Sequence, residues 1–160
     1  MNIIVRRATK ADSERACDVV RASITESCVE DHLRNPEILC AWLKNKTPEN
    51  LRRWIEGDAY AIVADRGGEI IGTAMLKPDG MILLCYVTPE ARFAGAGTAM
   101  LRALENEAAR TGVKKLVLAS TKTAFTFYSR MGFFPTGEVE ATLGMQAPCM
   151  EKLINATEPA

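Results

Sequence analysis

The chain has 160 residues, 48% of them hydrophobic and 25% charged, which suits one ordinary globular domain and excludes a disordered tail. Lysine plus arginine and aspartate plus glutamate balance at 20 each, so no net field draws it to nucleic acid, and the pairs Arg6-Arg7, Arg52-Arg53 and Lys114-Lys115 are scattered. Five separated cysteines with no C-x-x-C pair argue against a disulfide framework and a zinc site, and no apolar run suggests a signal peptide or a membrane span. A cytoplasmic protein that contacts neither metal nor membrane is expected.

Met1 to Ala8 forms a strand candidate, and Thr9 or Asp12 can cap an amphipathic helix whose apolar side carries Ala16, Cys17, Val20, Ile24 and Cys28. Asn35-Pro36 starts a second helix with Ile38, Leu39, Trp42 and Leu43. Thr47-Pro48-Glu49 starts a third with Leu51, Trp54 and Ile55. Ala59 to Asp65, Glu69 to Lys77 and Met81 to Thr88 read as an antiparallel meander turned at Gly67-Gly68 and at Pro78-Asp79-Gly80. The last of these strands is apolar at both parities, so it should be central and covered on both faces, ending at Pro89.

A helix from Gly95 to Thr111 follows, with Met100, Leu101, Leu104 and Ala108 inward and Gly112 as its stop. Lys115 to Ala119 is a strand, Thr121 or Thr123 opens a helix reaching Met131 before Gly132, and Met145 to Leu153 is the last strand. The expected class is α/β, a mixed and mostly antiparallel central sheet flanked by helices, with one domain over residues 1–154 and a polar tail at 155–160. Asn155-Ala156-Thr157 in that tail matches a glycosylation triplet with no secretory context.

Chemistry concentrates where a central strand runs into Arg92-Phe93-Ala94-Gly95-Ala96-Gly97-Thr98. Unpaired first-turn N–H groups, the positive end of the helix dipole and close-approach glycines make an anion site suited to a pyrophosphate, to which Arg92 adds charge. Taken alone the glycines can simply permit helix-on-sheet packing. A second motif, Ala124-Phe125-Thr126-Phe127-Tyr128-Ser129-Arg130-Met131-Gly132-Phe133, puts Tyr128 on a short helix beside the same crevice.

Together the two segments resemble the GNAT superfamily of N-acetyltransferases, whose patterns R/Q-x-x-G-x-G/A and A-x-x-F-Y-x-x-x-G-F are met by Arg92, Gly95 and Gly97 and by Ala124, Phe127, Tyr128, Gly132 and Phe133. The resemblance implies acetyl-CoA or a related acyl-CoA as cosubstrate and no metal. It places the pyrophosphate on residues 92–98, and the pantetheine along Cys85, Tyr86 and Val87 near Thr121, where two parallel strands splay. Many relatives have glycine and a basic residue at the positions of Phe93 and Ala94, and asparagine at Thr121, so backbone donors carry more of the binding here.

The implied reaction is direct transfer: a neutral amine attacks the thioester, a backbone N–H such as that of Val87 polarises the carbonyl, and Tyr128 protonates the thiolate. Tyr128 can instead only pack and orient pantetheine. Glu26, Glu30, Asp31 and His32 cluster on the segment that in relatives helps form the acceptor pocket, but no base is assigned among them. Cys85 as an acyl-enzyme nucleophile reads better as a buried strand residue, and His32, the only histidine, lacks a nucleophile elbow. A dinucleotide oxidoreductase is disfavoured by the missing third glycine and by the absence of an acidic ribose ligand after Leu118-Ala119-Ser120. A non-catalytic acyl-CoA sensor of the same fold is the alternative. The expected partner is a small-molecule or protein amine, with a homodimer left open.

Overall fold

A computed structural model of the protein describes residues 2–154. The expected tail at 155–160 and its glycosylation triplet lie outside the described residues. Strand β1 (Ile3–Arg7) is followed by a 3-10 turn, Lys10–Asp12, and helix α1 (Ser13–Ala22). Asp12 knots this entry together. Its carboxylate takes two bonds from the Arg6 guanidinium at 2.9 and 3.0 Å and one from the Thr9 N–H at 2.8 Å. The Arg6 bonds, offset in part by burial, hold that carboxyl below its ordinary range.

The helix expected to run on to Cys28 is broken. Beyond Ala22 the chain makes one π-helical turn, Ser23–Ser27, and then a short helix α2 (Val29–His32) that stops at Leu33 with φ 54°. The widened turn sends the Cys28 N–H to Ser23 O at 3.2 Å, leaving the Ile24 carbonyl, which an α-helix would have used, without its usual donor. His32 Nε2 supplies one, at 2.9 Å from Ile24 O and 3.2 Å from Thr25 O. Helical spacing identifies Ile24 and Cys28 as buried correctly but is blind to this exchange of a backbone donor for an imidazole. Helices α3 (Pro36–Leu43) and α4 (Pro48–Glu56) begin where their prolines indicate, capped by the Asn35 and Thr47 side chains.

Strands β2 (Tyr60–Arg66), β3 (Glu69–Leu76) and β4 (Ile82–Val87) complete a four-stranded antiparallel sheet in the order β1-β2-β3-β4. One face carries Ile62, Ala74 and Leu76 against helix α5 (Ala96–Thr111), whose Met100, Leu101 and Leu104 are fully buried. The other carries Ala61, Met75 and Leu84 against α1, α3 and α4. Each large side chain taken from water in these layers contributes roughly 1.5–3 kcal/mol.

Strand β5 (Lys115–Ala119), helix α6 (Phe125–Arg130) and strands β6 (Phe134–Thr142) and β7 (Met145–Leu153) form the remainder, with a second antiparallel sheet ordered β5-β7-β6. Strand β6 has no counterpart in the sequence-based expectation. All nine of its residues are exposed and its register on β7 shifts between Pro135 and Val139, so it lacks the alternation that marks a half-buried strand. Helix α6 begins at Phe125 after a turn, and of the two expected caps it is Thr121 whose hydroxyl takes an N–H at the helix entry, that of Ala124.

The two sheets touch through β4 and β5, which run parallel. They meet at a single bridge, Met81 with Val117, and the Val117 N–H donates to Gly80 O at 3.0 Å. Beyond it they part. The expectation that β4 is covered on both faces is therefore corrected: a bulge leaves Leu83 with no cross-strand partner, and its side chain is 48% exposed.

Candidate active site

The splay between β4 and β5 encloses a cleft of about 50 Å³ whose lining runs along β4 from Ile82 to Tyr86 and includes Leu118, Ala119, Thr121 and Tyr128. Sequence reasoning named Cys85, Tyr86, Thr121 and Tyr128, and the fold brings them together from β4, the turn after β5 and α6. The Thr121 hydroxyl accepts the Ala124 N–H at 3.0 Å ahead of α6, and Gly132, at φ 93°, ends the helical run so that the Phe133 N–H returns to Tyr128 O at 3.0 Å. Between those two stops the Tyr128 ring lies against Phe127 and Phe133, at centroid distances of 5.3 and 5.5 Å, and is 7% exposed.

Burial sets the protonation states here. It pushes the Tyr128 phenol well above its ordinary value, with Cys85 and Tyr86 adding to the effect. It pushes the Cys85 thiol up to about 11. Both groups are neutral at physiological pH, the phenol as a donor and the thiol as a poor nucleophile. Tyr86 projects to the opposite face beside Trp42 and is likewise raised by burial.

The β4 backbone has a free side. Thr88 N–H donates to Ile71 O at 2.8 Å, so the antiparallel alternation also directs the Tyr86 N–H to β3 and turns the N–H groups of Cys85 and Val87 toward the splay. After a short 3-10 turn, Pro89–Ala91, comes the start of α5. There the N–H groups of Phe93, Gly95, Ala96, Gly97 and Thr98 donate to no carbonyl among the described residues. That is a row of donors at the positive end of a 16-residue helix.

The two glycines in this row serve different ends. Gly95 holds φ 95°, with open space where a Cβ would be, and Gly97 lets the Phe127 ring approach to 3.3 Å of the Cβ it lacks. Phe93 also sits in the left-handed region, at φ 66°, which costs a residue with a side chain about 1–2 kcal/mol. Its ring is 95% exposed and lies under the Arg92 guanidinium at 4.8 Å.

The acceptor-side residues do not act together. Glu26 and Glu30 are exposed, and their carboxylates join no hydrogen bond or ion pair among the described residues. His32 is 1% exposed, and both ring nitrogens are engaged: Nε2 at the π-turn carbonyls and Nδ1 with the Arg34 N–H at 3.0 Å. In place of the expected position in a substrate pocket, His32 is buried in the core with its ring nitrogens on backbone groups. Asp31 turns the other way, to the segment between β5 and α6. Nothing in the local sequence signals that contact. Among the described residues no group of three or more histidine, cysteine or acidic side chains is arranged to hold a metal.

The family profile described as "Acetyltransferase (GNAT) domain" matches residues 26–154. An amino-acid acetyltransferase of Pseudomonas syringae pv. syringae is 38% identical over 79 residues, which is 46% of this chain and 18% of the relative. The chain thus spans about a fifth of the length of the curated relatives it matches. Among solved structures, PaiA N-acetyltransferase from Thermoplasma acidophilum in complex with coenzyme A superimposes with a TM-score of 0.80 at 24% identity, covering 96% of this chain and 99% of that one. A GCN5-related N-acetyltransferase from Rhodopseudomonas palustris gives 0.85 at 23%, covering 96% of each. At those identities the structural likeness is one of fold.

Proposed function

The chain belongs to the GNAT acetyltransferase family, and from that premise we propose that it transfers an acetyl group from acetyl-CoA to a primary amine by direct attack, with Tyr128 as general acid. The observation that carries the reading is the neutral, buried Tyr128 phenol at the point where β4 and β5 part. In this reading the CoA pyrophosphate takes the N–H groups of residues 93–98, and pantetheine lies along the outward edge of Cys85, Tyr86 and Val87. Thr121 keeps its own O–H to donate, since it uses only a lone pair on Ala124.

The neutral amine forms its C–N bond while the carbonyl oxygen is polarised by the Val87 N–H. As the C–S bond breaks, the thiolate takes the phenol proton, the amine nitrogen releases a proton to solvent, and the phenolate regains one from solvent to complete the cycle. An ordinary phenol near 10 is a weak donor to a thiolate whose conjugate acid lies near 8.5. Burial acts on both partners: it raises the phenol and, as it does for Cys85, it raises any thiolate formed beside it, so the acceptor becomes more basic as the donor becomes less acidic. In this reading the exposed carboxylates of Glu26 and Glu30 attract a cationic amine, and because relatives are named amino-acid acetyltransferases, α-amino acids are the first acceptors to assay.

A thiol-release assay over an amine panel tests the transfer. Tyr128→Phe should lower turnover at least about tenfold, roughly 1.4 kcal/mol, while calorimetry finds acetyl-CoA affinity unchanged. Equal turnover would remove the acid role. Thermal stabilisation by acetyl-CoA with no thiol released for any amine would favour the sensor alternative.

A further inference from the structure

We propose that Asp31 is a positioning residue for the reaction, its carboxylate on α2 clamping the Lys122–Thr123 turn and so fixing how α6 presents the Tyr128 phenol to the cleft. Oδ1 accepts the Lys122 N–H at 2.6 Å, while Oδ2 accepts the Thr123 N–H at 3.3 Å and the Thr123 hydroxyl at 2.8 Å. These three bonds cross a sequence separation of 91 to 92 residues. Both oxygens of this half-buried carboxylate are thus engaged by the turn before α6.

Helix α6 needs an external anchor. It has six residues, too few to hold its own geometry, and on its amino-terminal side the local bonds are the Thr121 cap and one from the Phe125 N–H to Lys122 O at 3.3 Å, both within the turn itself. At the other end Lys152, paired with Glu105, donates to Met131 O at 2.7 Å. The segment before Thr121 is already fixed, because Ser120 is buried and its N–H donates to Pro148 O at 2.9 Å. What stays adjustable between the β5 end and the phenol is the Thr121–Ala124 turn, and Asp31 holds it with charge-assisted bonds. A misplacement of about 1 Å at a reacting group can cost on the order of 10²-fold in rate.

This inference rests on the acid role of Tyr128, and a double-mutant cycle tests the two separately. Asp31→Ala should lower kcat about tenfold with KM for acetyl-CoA within about twofold. In the Tyr128→Phe background the same substitution should lower kcat by less than about twofold, because the group it positions is gone. Asp31→Asn, which keeps one acceptor oxygen, should fall between the two and serves the same cycle if the alanine variant does not fold. An equal loss in both backgrounds would mean that Asp31 only supports the fold and would overturn the proposal. So would a normal kcat for Asp31→Ala where Tyr128→Phe alone is impaired. If Tyr128→Phe alone retains full turnover, the acid reading itself fails and takes this inference with it.

Discussion

At the scale of the residue, the cleft pairs two groups that burial treats alike. Tyr128 and Cys85 are both held neutral, which suits the phenol to donate a proton and disables the thiol as a nucleophile. With Cys85 near 11, about one molecule in ten thousand carries the thiolate at pH 7. Cys85→Ala should therefore keep turnover within about threefold and leave no acyl adduct to lose. Mass spectrometry of the wild-type protein quenched during turnover checks this, an acetylated Cys85 being the contrary result. The Tyr128 motif was legible in the sequence because its neighbours Phe127, Gly132 and Phe133 are spaced along one local segment. His32 was not, since the carbonyls that engage it are freed by a π-turn with no signature in hydrophobic spacing.

At the scale of the element, the site depends on β4 and β5 meeting once and then separating. Gly80 makes the meeting possible: it adopts φ 102°, and a Cβ there would stand 2.3 Å from the Lys115 carbonyl oxygen, a backbone atom that cannot step aside. Gly80→Ala combines backbone strain with overpacking and should destabilise the fold by at least about 2 kcal/mol. Gly95→Ala, where nothing lies within 4 Å, should cost only the left-handed strain, about 1 kcal/mol. Urea denaturation of the two variants measures the difference, and equal midpoints would show that Gly80 is not the joint. The prolines and caps that open α3 and α4 were readable from sequence because capping is local. Strand β6 was not, because an exposed edge with proline and glycine carries no alternation.

At the scale of the whole molecule, several acidic groups are buried in the neutral form, and this gives the fold an alkaline limit. Burial raises Cys28 to about 12 and Cys85 to about 11, and it lifts Tyr86 and Tyr128 above their ordinary range as well. In the unfolded chain cysteine releases its proton near 8.5 and tyrosine near 10, so above those values the unfolded state binds fewer protons than the native state. Stability is then complete below about pH 8.5 and falls as pH rises toward the folded values, by up to about 1.4 kcal/mol per pH unit for each group released. Lys46, whose ammonium burial pushes down, opposes this with a single group. Urea midpoints at pH 7, 8.5 and 10 should be level over the first interval and lower at the last. A level profile through pH 10 would mean that these groups titrate as if exposed.

The sequence by itself determined the α/β class, the meander, the glycine-marked start of α5 and the tyrosine-bearing motif, because each is written in contiguous residues through periodicity, capping and turn chemistry. Only the tertiary structure decided that β4 and β5 part after one bridge, that His32 repairs a π-turn in the core, and that Asp31 reaches 91 residues along the chain to the turn before α6. Those features depend on which donors and acceptors meet across the fold. Local pattern does not encode that pairing, since donor and acceptor lie as many as 92 residues apart.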